Sequence, residues 1–251
     1  MAKLNQDSIT DQVYALLNRD IEAGRFEPGA RIFEEPLARE LGISKTPLRL
    51  ALHQLRRDGV VRIAPRRGIY LANPTLAEVI ELVELREVLE GLAARCAALQ
   101  PDRRFVDRLE SCLAGFSESN LRERRAKYAA ADHRFHMLLV EASGSGELAK
   151  TLQVINIRLH AHRLDKTATH DLRPIHRQHL GIIKAVKAGD APKAEELARS
   201  HVRHQLALKM LKDSEIGSEV SQSGQQPKPS AFSTVLRVTK DVAERRRGGL
   251  R

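Results

Sequence analysis

Cysteine is scarce in this chain of 251 residues. Cys96 and Cys112 are its two, and their spacing matches no metal site. A reducing compartment keeps both as thiols, and both fall in helical patterns, so they are expected as small buried apolar side chains. Long apolar runs are missing as well. No stretch approaches the ~18 residues that cross a bilayer. The opening Met1-Ala2-Lys3-Leu4-Asn5-Gln6-Asp7 has no apolar signal-peptide core. These absences point to a cytoplasmic protein with no membrane partner. With 42% hydrophobic and 29% charged residues, the composition is that of a globular chain long enough for two domains.

Acids are what one segment lacks. Between Lys45 and Arg67 the single acid is Asp58, against Lys45, Arg49, Arg56, Arg57, Arg62, Arg66 and Arg67. The net charge of +10 is spread along the chain, so this local cluster says more about partners than the total does. A surface of that kind suits phosphates. The flanking pattern gives it a shape. Ile9, Val13, Leu16, Leu17 and Ile21 predict a helix that ends at Gly24. A short helix over Glu34–Leu41 follows, then a Gly42-Ile43-Ser44 turn and a second helix over Lys45–Asp58. Leu48, Leu52 and Leu55 form its inward stripe, and Ser44 is expected to cap it through its hydroxyl. Val60–Leu71 reads as a strand–turn–strand hinged on Pro65-Arg66-Arg67-Gly68. That order is a winged helix-turn-helix. The first turn of the second helix, Lys45, Thr46 and Arg49, would face a major groove, with Arg49 able to fork onto guanine O6 and N7. Thr46 would contact phosphate or a thymine methyl, or serve only as turn chemistry. Arg66 and Arg67 would lie beside the backbone or minor groove, and Gly68 would permit close approach to the sugar-phosphate chain.

Strands are absent from the pattern beyond Asn73-Pro74-Thr75. The expected division is 1–72 for the winged helix, 73–75 for a linker, 76–212 for an all-helical bundle and 213–251 for a disordered tail rich in Ser, Gln, Gly and Pro. The fold class is therefore mostly α. Breaks between helices fall at Gln100-Pro101-Asp102, Ser143-Gly144-Ser145-Gly146, Asp171-Leu172-Arg173-Pro174 and Ala188-Gly189-Asp190-Ala191-Pro192.

Within the bundle, Asp132 and His136 stand four apart on one helical face with Tyr128 and Leu139. A buried Asp–His hydrogen bond would explain that pair alone. His179 and His201 lie at equal distances on either side of Asp190, so an antiparallel helix pair places the two imidazoles at one height. One carboxylate and three imidazoles suit a divalent ion: Zn²⁺ first, with Ni²⁺ or Mn²⁺ as alternatives. His176 and His204 are symmetric about the same turn and form a rival pair. His133, His160, His162 and His170 are expected without a ligand role.

Taken together, these residues resemble the GntR family of bacterial transcription regulators, in the branch with an all-helical FCD domain. The likeness covers residues 9–211. It rests on Gly24-Arg25-Phe26-Glu27-Pro28-Gly29, Leu37-Ala38-Arg39-Glu40-Leu41-Gly42, Ser44-Lys45-Thr46-Pro47-Leu48-Arg49 and Pro65-Arg66-Arg67-Gly68. In the bundle it rests on Glu84-Leu85-Arg86, Asp132-His133-Arg134-Phe135-His136, His179, and Ala188-Gly189-Asp190 followed by His201. The resemblance implies a metal at Asp132, His136, His179 and His201, closing a pocket for a small organic acid. It implies DNA contacts from Arg39, Lys45, Thr46, Arg49 and the wing at Gly68, and Ser44, Arg66 and Arg67 complete the expected DNA-facing set. It also implies a homodimer on a palindromic operator, often as a repressor. Lys45 stands where the family commonly has Arg, which turns a forked contact into a point charge. Leu50 replaces a usual Glu, and Ser145 a frequent Asn. Arg86 is the expected partner of the effector's carboxylate; the alternative is a surface salt bridge to Glu90 at i+4. Two other functions fit parts of the sequence: a metal-dependent hydrolase, which lacks an evident base motif, and a non-specific architectural DNA protein, which would need no metal.

Overall fold

A computed structural model describes residues 8–161 and 171–220, with side chains described to residue 159 and over 171–205. Its elements are α1 (Ile9–Glu22), β1 (Arg31–Ile32), α2 (Glu34–Glu40), α3 (Lys45–Arg57), β2 (Val61–Ala64), β3 (Gly68–Leu71), α4 (Leu76–Leu99), α5 (Arg103–Leu113), α6 (Arg125–Ala142), α7 (Gly146–Ala161), α8 (Arg173–Lys187) and α9 (Ala191–Val220). Residue contacts divide the chain into two compact units, Met1–Val79 with Lys150–Thr167 and Ile80–Ala149 with Ala168–Arg251. Among the described residues no helix is long and apolar enough to cross a membrane.

In the first unit, α1 starts from a reciprocal cap: the Ser8 hydroxyl accepts from the Asp11 backbone, and the Asp11 carboxylate accepts from the Ser8 backbone. Leu48, Ala51, Leu52 and Leu55 of α3 are fully buried against Val13, Leu17 and Ile21 of α1. Ser44 departs from expectation, because it precedes α3 with an extended backbone but makes no side-chain capping bond. Asp58, the lone acid of the basic segment, accepts the Tyr14 hydroxyl at 2.7 Å and ties α1 to the end of α3. The sheet has order β1-β3-β2 and is antiparallel throughout. Strand β1 was not legible in the pattern, since two residues are too short to show alternation. It pairs Arg31 with Tyr70 and Ile32 with Ile69.

One segment sits differently from the expected division. Ile157 of α7 is fully buried in the core of the first unit, and the Arg158 side chain lies against Gly59. An apolar helix shows which of its faces is buried, not which neighbour buries it.

The second unit packs Tyr128, Phe135, Leu139, Leu109, Ile182, Ile183, Val186, Ala194 and Ala198 into one core. Helices α8 and α9 form a hairpin closed by Gly189 at φ 72°, a left-handed position that suits glycine. Asp102 caps α5 by accepting the Arg104 backbone N–H at 2.8 Å. Helix α9 continues to Val220, through the start of the stretch expected as tail, because propagation adds a backbone bond per residue once a helix exists. The rest of that stretch, 221–251, lies outside the described residues. Cys96 and Cys112 are free and half-buried rather than fully buried, and the Cys112 thiol donates to the Ala131 carbonyl at 3.2 Å.

Candidate metal centre and nucleic-acid interface

Four side chains from three helices of the second unit meet at one point. Asp132 and His136 come from one face of α6, His179 from the inner face of α8, and His201 from the facing turn of α9. One ligand atom from each lies within 4.8 Å of all the others. His179 Nε2 is 3.1 Å from His201 Nε2, which is 3.3 Å from His136 Nε2. Asp132 Oδ1 is 3.4 Å from His179 Nε2 and 3.9 Å from His136 Nε2. The three imidazoles are buried and Asp132 is partly exposed.

Each imidazole is held from behind. His136 Nδ1 donates to Glu90 Oε2 at 2.7 Å, and His201 Nδ1 donates to Gln178 Oε1 at 3.1 Å. The Tyr128 hydroxyl lies 3.0 Å from His179 Nδ1. A nitrogen that donates from Nδ1 in a neutral ring presents a lone pair at Nε2. Gln205 Nε2 donates to His201 Nε2 at 3.0 Å, which agrees with a lone pair there. His179 and His201 are held neutral. Burial first, then the neighbouring imidazoles, push the proton affinity of His179 and His201 well below the ordinary histidine value. Burial raises the Tyr128 phenol, with the Asp132 charge adding to it, so it stays protonated.

The donor set fits a metal. Ligands about 2.0–2.1 Å from a tetrahedral ion lie about 3.3 Å from one another, and the closest pairs here match that spacing. Three imidazole nitrogens and one carboxylate oxygen converging at these distances are the donor types that a borderline divalent cation takes.

The sequence-predicted residues separate cleanly in space. His176 and His204 are not part of the four-residue group. His176 is buried edge-on against Tyr128, with ring centroids 5.7 Å apart, and its Nδ1 finds no hydrogen-bond partner among the described residues. His133 is half-buried outside the group. The side chain of His160 and residues His162 and His170 lie outside the described residues. Arg86 turns its Nε onto Glu90 Oε1 at 2.5 Å, which is the i+4 alternative, but the pair is buried rather than at the surface. A guanidinium in an apolar setting takes the carboxylate one turn away. The contact of Glu90 with His136 was not foreseen. Burial alone would raise the proton affinity of Glu90, yet Arg86 and His136 hold it well below the usual carboxylate range. The available signal was an acid one turn after Arg86, at helical spacing from the apolar Val83 and Ala94.

In the first unit, Arg39, Ser44, Lys45, Thr46, Arg49, Arg66 and Arg67 are all exposed. Lys45 and Arg49 project from the start of α3, and the wing turn carries Pro65, Arg66 and Arg67. Arg67 N–H donates to Ala64 O at 3.0 Å, and Arg66 sits at φ 60°. Proline followed by a residue of positive φ is the type II pattern, with arginine where glycine would be unstrained. Gly68 sits at φ 116°, a backbone conformation that suits glycine, with the Arg31 side chain packed over it. A Cβ there would come within 2.8 Å of Arg31 Nε, so the glycine makes room for that guanidinium, which also lies 4.9 Å over the Phe33 ring. Strand β1 thus adds Arg31, unforeseen, to the wing.

The family model described as bacterial regulatory proteins, gntR family, matches residues 9–71, and the FCD domain model matches residues 81–204. The uncharacterized HTH-type transcriptional regulator YdhC of Bacillus subtilis is 30% identical over 195 residues, which is 77% of this chain and 87% of the relative. The HTH-type transcriptional repressor RspR of Escherichia coli is 25% identical over 198 residues, 78% of this chain and 86% of the relative. The solved structure of E. coli McbR/YncC shares the fold at a TM-score of 0.72 and 21% identity, covering 83% of this chain and 100% of that one. The chain belongs to the GntR family of transcription regulators and carries an FCD domain, which makes it a regulator and not an enzyme.

Proposed function

We propose that this regulator is a metabolite-responsive repressor of the cytoplasm whose FCD domain binds a divalent metal and a small organic acid, and which grips a palindromic operator as a homodimer. The observation that carries the sensor half is the convergence of Asp132, His136, His179 and His201, with an acceptor behind each of His136 and His201. Zn²⁺ suits a borderline site of imidazoles and one carboxylate, with Ni²⁺ and Mn²⁺ as the alternatives. An ion held by Asp132, His136, His179 and His201 would supply positive charge toward an effector's carboxylate. Arg86 takes part through Glu90, which orients His136.

On the operator side, Arg39, Ser44, Lys45, Thr46 and Arg49 face the major groove, and Arg66, Arg67 and the Gly68 wing follow the adjacent backbone. An effector changes DNA affinity only by binding one arrangement of the protein better than another. An exposed apolar face on α4, made of Leu85, Val88, Leu92 and Leu99 at helical spacing, suits a second copy of the chain.

Elemental analysis of the purified protein beside a His179→Ala variant tests the metal. About one divalent ion per chain in the wild type and a large loss in the variant are expected. Equal metal content in the two would remove His179 from the ligand set. A thermal-shift series with small carboxylic acids, with and without metal, then tests the effector.

A further inference from the structure

Three of the cations assigned to DNA are already held by acids. On α2, Glu34 Oε1 accepts from Arg49 Nε at 2.7 Å and Oε2 from Arg49 Nη2 at 3.4 Å. Glu35 lies 3.1 Å from Lys45 Nζ and 3.8 Å from Arg39 Nη2. By contrast, Arg56, Arg57, Arg62, Arg66 and Arg67 make no ion pair among the described residues. The basic surface therefore holds two classes of cation: a clamped set at the start of α3 and an unclamped set along its end and the wing.

The geometry points to Glu34 and Glu35 as specificity-determining residues, which screen Arg49 and Lys45 from non-cognate phosphate while leaving them open to a base edge. This rests on the regulator reading above. A phosphate that approaches Arg49 or Lys45 also approaches two carboxylates of its own sign, and the repulsion grows as water leaves the interface. A guanine edge offers two neutral acceptors and feels far less of that repulsion. Arg49 spends two of its five N–H groups on Glu34, and the rest remain for the base. Attraction that is blind to sequence is left to the unclamped arginines. Discrimination is thus set by what the acids reject as much as by what the cations accept.

Stability does not explain these acids. The pairs are largely exposed, with Lys45 at 50% and Arg49 at 59% side-chain exposure, where ion pairs contribute little. Acids in the first turn of a helix do favour its dipole, but that requires no reach to partners ten and fifteen residues away on α3.

The test begins with duplexes enriched from a random pool by the wild-type protein. Binding to an enriched duplex and to its scrambled counterpart is then measured by fluorescence anisotropy from low to moderate salt. The Glu34→Gln/Glu35→Gln protein should bind scrambled DNA about tenfold more tightly, with a salt slope steeper by about 1 to 2. Its affinity for the enriched duplex should move by less than about threefold, so discrimination falls. Glu34→Asp keeps the charge and shortens the reach, and should leave scrambled binding at the wild-type level. Melting curves confirm that each variant is folded, and the single variant Glu34→Gln, measured beside Glu34→Asp, should shift in the same direction as the double variant and replaces it if the double variant does not fold. Equal tightening on both duplexes would reduce the acids to diluted net charge and overturn the proposal. So would weaker binding to both, or Glu34→Asp behaving like Glu34→Gln. A wild type that enriches no sequence at all would instead sink the regulator reading, and this proposal with it.

Discussion

Glu90 shows how much a single side chain decides here. Its carboxylate is almost fully buried, with Arg86 on one oxygen at 2.5 Å and His136 on the other at 2.7 Å. Glu90→Gln removes the charge that both partners face and leaves the buried guanidinium uncompensated, which costs about 3–5 kcal/mol. It also frees the His136 ring, so metal affinity should fall by roughly 10–100-fold. Thermal melts and metal competition titrations check the two effects separately. Arg66 offers the opposite case. Its φ of 60° is strained for arginine, and Arg66→Gly relieves that strain while removing one phosphate partner. Stability should hold or rise by up to about 1 kcal/mol, while the salt slope of DNA binding shrinks by about 1. A melting temperature that falls with the substitution would assign Arg66 a folding role and overturn the strain argument.

Between elements, α4 packs closely on α9, which carries His201 of the candidate metal centre. Glu87 of α4 binds Arg199 and Arg203 of α9, each at 3.1 Å. One turn on, Gly91 lets the helices close: a Cβ there would stand 2.5 Å from Arg199 Cγ and 2.9 Å from its Cδ. Those atoms lie near the root of the side chain and cannot swing clear. Gly91→Ala therefore has to push α9 outward, at a cost of about 1–3 kcal/mol despite alanine's better helix propensity. Because His201 is carried on α9, metal affinity should fall with stability. Retained metal affinity in a folded Gly91→Ala protein would show that α9 does not need this close approach to place His201.

For the whole molecule, the buried imidazoles set a pH dependence. His179 and His201 are held neutral in the folded chain, whereas in the unfolded chain they titrate near pH 6.5. Below that pH the unfolded chain takes up protons that the folded chain refuses. Stability is therefore full above about pH 6.5 and falls below it, by up to about 1.4 kcal/mol per pH unit for each ring. Melting temperatures in the presence of a chelator, taken from pH 8 to pH 5, should drop below pH 6.5. The drop should be shallower in His179→Gln. Added Zn²⁺ should raise the melting temperature at pH 7, since an ion that binds only the folded chain stabilises it by mass action. Assembly is checked on the same protein: Leu92→Lys on the exposed face of α4 should shift the sedimenting species from dimer to monomer.

Local chemistry alone determined the order of helices, the turns at Gly24, Gly42 and Gly189, the wing hairpin, and the equal spacing of His179 and His201 about Asp190. Hydrogen bonds within a few residues and the period of buried side chains set those features, so they are written in the sequence at short range. Tertiary packing decided the rest. It selected His179 and His201 over His176 and His204, and it brought Glu90 to His136 across 46 residues and His136 to His201 across 65. It moved Arg31 into the wing through a two-residue strand, and it assigned Ile157 of α7 to the core of the winged helix. Which side chains meet depends on how helices cross and which faces oppose, and that is fixed by the fit of whole surfaces rather than by any neighbouring residue.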